Sequence, residues 1–245
     1  MNFRVFDSAE EAAHALAKRV AAALAVRPSL VLGLPTGRTP IATYAQLQKL
    51  HRSGTADFSR ASTFNLDEFV GLAPSHPDSF RAFMDRHLFA GINLPASRIH
   101  FLNGAAADLG LECERYESAI AASGGIDLQI LGIGANGHIG FNEPGDELAA
   151  RTHRVVLAES TRRDNAALFA GDTSRVPLEA LSMGMGTILK AREILLIATG
   201  TSKARCVERA ARGPVTTRLP ASFLQLHSRV ELYLDRDAAS SVGPA

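Results

Sequence analysis

Three short stretches gather residue types that do chemistry. GIGANGHIGFNEPG, residues 132–145, places five glycines, His138 and Glu143 at and after the end of an apolar run. Histidine exchanges protons near neutral pH. A carboxylate five residues on can orient or polarise the imidazole, which needs such a partner to fix its tautomer. FNLDEFVGL, residues 64–72, carries the adjacent acids Asp67 and Glu68. Asp67 suits a general base if burial brings its pKa toward the working pH; helix capping is the competing reading. Neighbouring side chains point different ways, so one acid is expected inward and the other outward. GLPTGRTP, residues 33–40, offers Thr36, Gly37, Arg38 and Thr39 at the start of a helix. Hydroxyls and free N–H groups there can cradle a phosphate, although the stretch also reads as a plain strand-to-helix turn. It lacks the GK[ST] ending of a Walker A loop. Lys203, in ATGTSKAR, falls in or near the first turn of a helix, where a cation gains nothing from the dipole. An anionic ligand would account for it; solvation is the alternative.

These loops need strands to carry them. Compact apolar runs at 29–34, 127–132 and 193–198 read as strands buried on both faces. Weaker strand signals stand at 3–6, 61–65, 99–101 and 230–234. Helical patterns fall between them: an Ala-rich stretch from Ser8 to about Val26, opened by a Ser8/Glu11 capping box, then 40–51, 79–89, 108–122, a short one at 187–191, and 203–211. Alternation of this kind predicts an α/β fold with a mostly parallel central sheet and helices on both faces. Ligands in such sheets sit beyond the carboxyl ends of the strands, and all four candidate loops lie there. Gly124-Gly125 reads as a turn, the stretch 238–245 as a frayed tail, and residues 1–245 as one domain.

Composition excludes several classes. With 46% hydrophobic residues, 21% charged and a net charge of +1, no nucleic-acid partner is expected. No apolar run approaches the ~18 residues of a membrane span, and the N-terminus lacks a signal peptide's apolar region. Cys113 and Cys206 lie far apart, which predicts neither a disulfide nor a CxxC site and fits a cytoplasmic location. His76, His100, His153 and His227 are scattered, so no metal site is expected.

The stretches GLPTGRTP, FNLDEFVGL, GIGANGHIGFNEPG and PASFLQLHS resemble the glucosamine-6-phosphate deaminases in order and spacing, from about Ser8 to Asp235. The resemblance implies a modified Rossmann-like three-layer sandwich. It implies conversion of glucosamine 6-phosphate and water to fructose 6-phosphate and ammonia, with no metal or organic cofactor. In that light His138 opens the sugar ring, Glu143 is its carboxylate partner, and Asp67 moves a proton between C2 and C1. Asn136 stands beside the histidine where many members have Asp, and Gly137 belongs to the substrate-binding turn. Thr36, Gly37, Arg38, Thr39 and Lys203 contact phosphate.

Two further departures bear on that reading. Ala167, in a helix at 160–169, occupies the place of a phosphate-binding arginine, for which Arg162, Arg163 or Arg175 are candidate substitutes. His153 and Val155 replace basic residues of allosterically regulated members, so regulation by N-acetylglucosamine 6-phosphate is not expected, and the protein is expected as a monomer or small homo-oligomer. Galactosamine-6-phosphate deaminase/isomerase is the nearest alternative. 6-Phosphogluconolactonase, which lacks the FNEP segment at 141–144, and a sugar-phosphate sensor are the more distant ones.

Overall fold

In the computed structural model, which describes residues 1–242, seven strands form one sheet in the order β1-β10-β9-β6-β2-β3-β5. They are β1 (Asn2–Phe6), β2 (Val31–Leu34), β3 (Ser62–Asn65), β5 (Ile99–His100), β6 (Leu128–Leu131), β9 (Glu193–Ala198) and β10 (Val230–Asp235). Every pairing in this sheet is parallel. The fold is thus α/β, as the alternation predicts.

Side-chain alternation along these strands builds two cores. Leu32, Leu34, Ile130 and Ile197 face α1 (Ala9–Val26), α2 (Thr39–Arg52) and α3 (Phe80–His87), meeting Leu16, Val20, Leu47 and Phe83. Val31, Phe64, Leu131 and Leu196 face the other way. They meet Tyr116 and Ile120 of α4 (Leu109–Ala122), Ile188 of α6 (Met185–Leu189) and Val207 of α7 (Thr201–Arg212). Burying each such side chain contributes about 1.5–3 kcal/mol. β2, β6 and β9 are buried at every position, which explains sequences that are apolar except at Gln129 and Glu193.

A second sheet departs from the sequence reading. β4 (Asp67–Phe69), β8 (Glu179–Ser182) and β7 (His153–Val156) pair antiparallel in the order β4-β8-β7. Its strands are three or four residues long, too short to register a period. Phe69, Phe80, Phe141 and Phe169 pack together in the adjoining core. The chain passes between the sheets at Leu66. Its N–H donates to Leu34 O at 3.1 Å, and its carbonyl accepts from Met183 N at 2.7 Å.

Other boundaries move modestly. Ser8 caps α1 as expected, accepting from Glu11 N at 3.1 Å, but Glu11 returns its bond to Asp7 N rather than to Ser8. The stretch 160–169 divides into α5 (Glu159–Asn165) and a 3-10 turn, Ala166–Phe169. The expected frayed tail begins instead as α8 (Arg236–Ala239), with Ala238 and Val242 buried; residues 243–245 lie outside the described part. No described helix is long and apolar enough to cross a membrane, and Cys113 and Cys206 are both free and buried.

Candidate active site

The four strands β9, β6, β2 and β3 are neighbours in the sheet, so the loops at their carboxyl ends are neighbours too. β2 is also where the connections change direction, with β3 on one side and β6 on the other. Such switch points are where open α/β sheets take ligands.

Asp67 begins β4 immediately beyond the seam at Leu66 and is 5% exposed. Thr36 Oγ1, from the loop after β2, lies 3.4 Å from its Oδ1. Burial, and then the negative charge of Glu68, push its pKa up to about 7, while the Thr36 hydroxyl opposes the shift. The capping reading does not hold: Asp67 lies in a strand and caps no helix. Glu68 does that work from a distance, accepting from Phe80 N and Arg81 N of α3 at 2.9 Å each. Nor does either acid face outward. Both are buried, on opposite sides of β4: Thr36 of the loop after β2 stands against Asp67, and the start of α3 stands against Glu68.

The loop after β6 folds back on itself. Gly134 N donates to His138 O at 3.0 Å, and Gly137 N donates to Gly134 O at 3.0 Å. Glycine is required at 134, because a Cβ there would lie 2.3 Å from the His138 ring. Gly140 takes φ +57, and its backbone approaches the Asp67 carboxyl: a Cβ at this position would stand 3.7 Å from Asp67 Oδ2. The histidine loop and the aspartate therefore share one wall.

His138 Nδ1 is buried with no hydrogen-bond partner. Glu143 Oε2 lies 3.8 Å away, within reach of an ion pair but too long for the expected hydrogen bond. Glu143 is held instead by Asn136 Nδ2 at 2.9 Å and by the Thr161 hydroxyl of α5. Asn136 does not face the imidazole ring. Its Oδ1 accepts from the His138 backbone N–H at 3.1 Å, so it ties the turn to the carboxylate. Thr161 is absent from the sequence reading, since nothing in its neighbourhood marks a hydroxyl aimed across 18 residues. Burial pulls the His138 pKa down, Glu143 opposes that, and Lys203 reinforces it. The imidazole is therefore neutral at pH 7.

Lys203 lies in the first turn of α7, after Gly200, whose N–H donates to Asp235 at 3.0 Å. Burial pulls the Lys203 ammonium down, Asp164 and Cys206 raise it, and Arg38 lowers it further. Arg38 is exposed at the mouth of α2, flanked by Gly37 and Thr39. Thr36, Arg38, Lys203, His138, Gly137 and Asp67 thus belong to one ring of loop ends. The candidate substitutes for arginine at Ala167 fare differently. Arg162 is spent on Thr173 O and Val176 O, and Arg175 pairs with Asp78 at 3.4 Å. Arg163 and Ala167 are exposed.

A cavity of about 620 Å³ lies elsewhere, between α4 and the start of β7, and contains none of the ring residues. It lacks what the ring brings together, a neutral imidazole and a buried carboxyl raised to about 7, the kind of perturbed pair that clusters at functional sites. Among the described residues no group of three or more His, Cys, Asp or Glu is placed to hold a metal ion.

A family model described as glucosamine-6-phosphate isomerases/6-phosphogluconolactonase matches residues 6–233. The chain belongs to this family. Within the family it is 49% identical to glucosamine-6-phosphate deaminase 1 of Giardia intestinalis over 227 residues, which covers 93% of this chain and 85% of that one. It superposes on the solved structure of a monomeric glucosamine-6-phosphate deaminase with a TM-score of 0.95 and 43% identity, covering 98% of this chain and 100% of the other. The family's fold also extends to the 6-phosphogluconolactonase of Trypanosoma brucei, with a TM-score of 0.75 and 18% identity over 99% of this chain and 98% of that one. That distance shows the fold alone.

Proposed function

We propose that this protein is a glucosamine-6-phosphate deaminase, which isomerises its substrate and releases ammonia and fructose 6-phosphate. One observation carries the reading: Asp67, buried and raised to about 7, shares a wall with the loop of a neutral, unpartnered imidazole. A general base works best when its pKa lies near the operating pH.

Neutral His138 accepts the C1 hydroxyl proton and returns it to the ring oxygen, opening the sugar. The new C1 carbonyl acidifies C2–H. Asp67 takes the C2 proton and delivers it to C1, passing through an enolamine to a C2 imine. Water adds to that imine, and the C–N bond breaks with loss of ammonia, so the net change hydrolyses a C–N bond. Glu143, fixed by Asn136 and Thr161, supports the imidazole as it takes up charge. Thr36, Gly37, Arg38, Thr39 and Lys203 hold the 6-phosphate, with Gly137 beside the sugar. The substrate's own carbonyl is the electron sink, so the reading invokes no cofactor and no metal.

A relative 43% identical is described as monomeric, which supports action as a monomer or small homo-oligomer, and residues 1–245 are read as one domain. Free, buried cysteines support a cytoplasmic location.

Ammonia release measured side by side from glucosamine 6-phosphate and galactosamine 6-phosphate tests the substrate. The glucosamine sugar is expected to be favoured in kcat/KM, and the reverse order would transfer the assignment to the C4 epimer. Lys203→Ala tests the anchor. Losing one charge-assisted contact of about 1.5–3 kcal/mol is expected to raise KM at least tenfold, with kcat changed less. An unchanged KM removes Lys203 from the phosphate site.

A further inference from the structure

Glu68 is the second buried acid of the dipeptide, 1% exposed, and the mechanism makes no use of it. Three backbone N–H groups converge on its carboxylate. Those of Phe69 and Phe80 donate to Oε1 and that of Arg81 donates to Oε2, each at 2.9 Å. No cation answers it: among the described residues Glu68 forms no ion pair. Arg81, whose main chain contributes a donor, turns its guanidinium away to Asp85 at 3.1 Å and toward the Phe89 and Phe101 rings. The charge is thus fixed by peptide dipoles and is not cancelled by an opposite charge. Its field reaches the next residue through a poorly polarisable interior.

We propose that Glu68 is a positioning residue for Asp67: a buried carboxylate, clamped by the start of α3, whose charge makes the neighbouring aspartate the acid of the pair that holds a proton. This rests on the reading of Asp67 as the base. The other titratable groups facing Asp67 are Tyr44 of α2 and Tyr116 of α4, both held neutral by burial. Thr36 supplies a hydroxyl, and Ser182 is its cross-strand partner in β8. Burial pushes Glu68 up as well, to about 7, against the pull of its three donors. Protonating Glu68 would weaken three N–H···O bonds at 2.9 Å, whereas among the described residues Asp67 accepts only one bond, from Thr36 at 3.4 Å. When the pair binds one proton, that proton therefore sits on Asp67.

Glu68→Gln tests the idea through the pH profile. Removing the charge is expected to move the acidic limb of kcat/KM down by on the order of one pH unit. The neutral-pH kcat should fall because the base is weaker, with KM nearly unchanged. A folded variant with an unmoved limb would overturn the proposal. The unaltered protein gives a second reading that does not need the variant to fold. In a carboxyl ¹³C titration, with Asp67→Asn used for assignment, the Asp67 resonance is expected to titrate near neutrality while that of Glu68 stays at its ionised position. A Glu68 resonance that titrates near 7 beside a flat Asp67 would refute it. Activity of Asp67→Asn tests the base, whereas the titration tests Glu68, so the two can fail separately.

Discussion

Asp67→Asn is expected to lower kcat by about 10³-fold or more, within the range that a positioned general base contributes, while substrate affinity changes little. Single-turnover ammonia release and equilibrium binding of substrate to the variant separate the two quantities. A fully active variant would remove Asp67 from the mechanism. The same substitution is expected to stabilise the fold at alkaline pH, and the sign follows from linkage. The folded Asp67 pKa is raised from 3.8 to about 7, so its favourable contribution is complete below the ordinary carboxylate range and lost as pH rises through 7. The wild type then carries the cost of a buried charge, up to about 4 kcal/mol at ~1.4 kcal/mol per unit, which asparagine does not. At roughly 2–4 °C per kcal/mol for a chain of this size, the variant should melt several degrees higher at pH 8 and show a much smaller gain at pH 4. An identical difference at both values would contradict the assigned pKa.

His138→Gln is expected to cut kcat/KM on the cyclic sugar about 10²–10³-fold. Glutamine preserves polarity but cannot carry a proton from one oxygen to another. The residual reaction should draw on sugar that opens spontaneously. Its rate should therefore stop rising with enzyme concentration once uncatalysed opening becomes limiting. A rate that keeps the wild-type value and its proportionality to enzyme would refute a ring-opening role. Glu143 remains in place in this variant because Asn136 and Thr161, not the imidazole, hold it.

The main sheet was legible because its strands announce themselves: the VLGL, LQIL and EILLIA runs are buried at every position and alternate with helical periods. Once those strands are parallel, the loops at their carboxyl ends must adjoin one another. Asp67, His138 and Lys203 therefore group together on sequence alone. The small antiparallel sheet was not legible, since three or four residues carry no usable period and β4 pairs with a strand more than 110 positions away, Asp67 opposite Ser182. Both acids are misread for that reason: without β4 as a strand, Asp67 reads as a cap and nothing brings the start of α3 against Glu68. The partners of Glu143 were hidden for a related reason. Thr161 reaches it only because α5 folds back over the loop, which local pattern does not encode.

The crossing at Leu66 fixes which letter of the dipeptide falls on which side of the chain. A strand alternates strictly, so reversing the two acids would leave composition and net charge untouched and still present an acid to each face. On the proposed mechanism, the longer side chain would then crowd the sugar's reacting carbons. The shorter one would fall about one carbon–carbon bond short of the amides of Phe80 and Arg81. For this protein, the order of two nearly synonymous residues is itself a piece of stereochemistry.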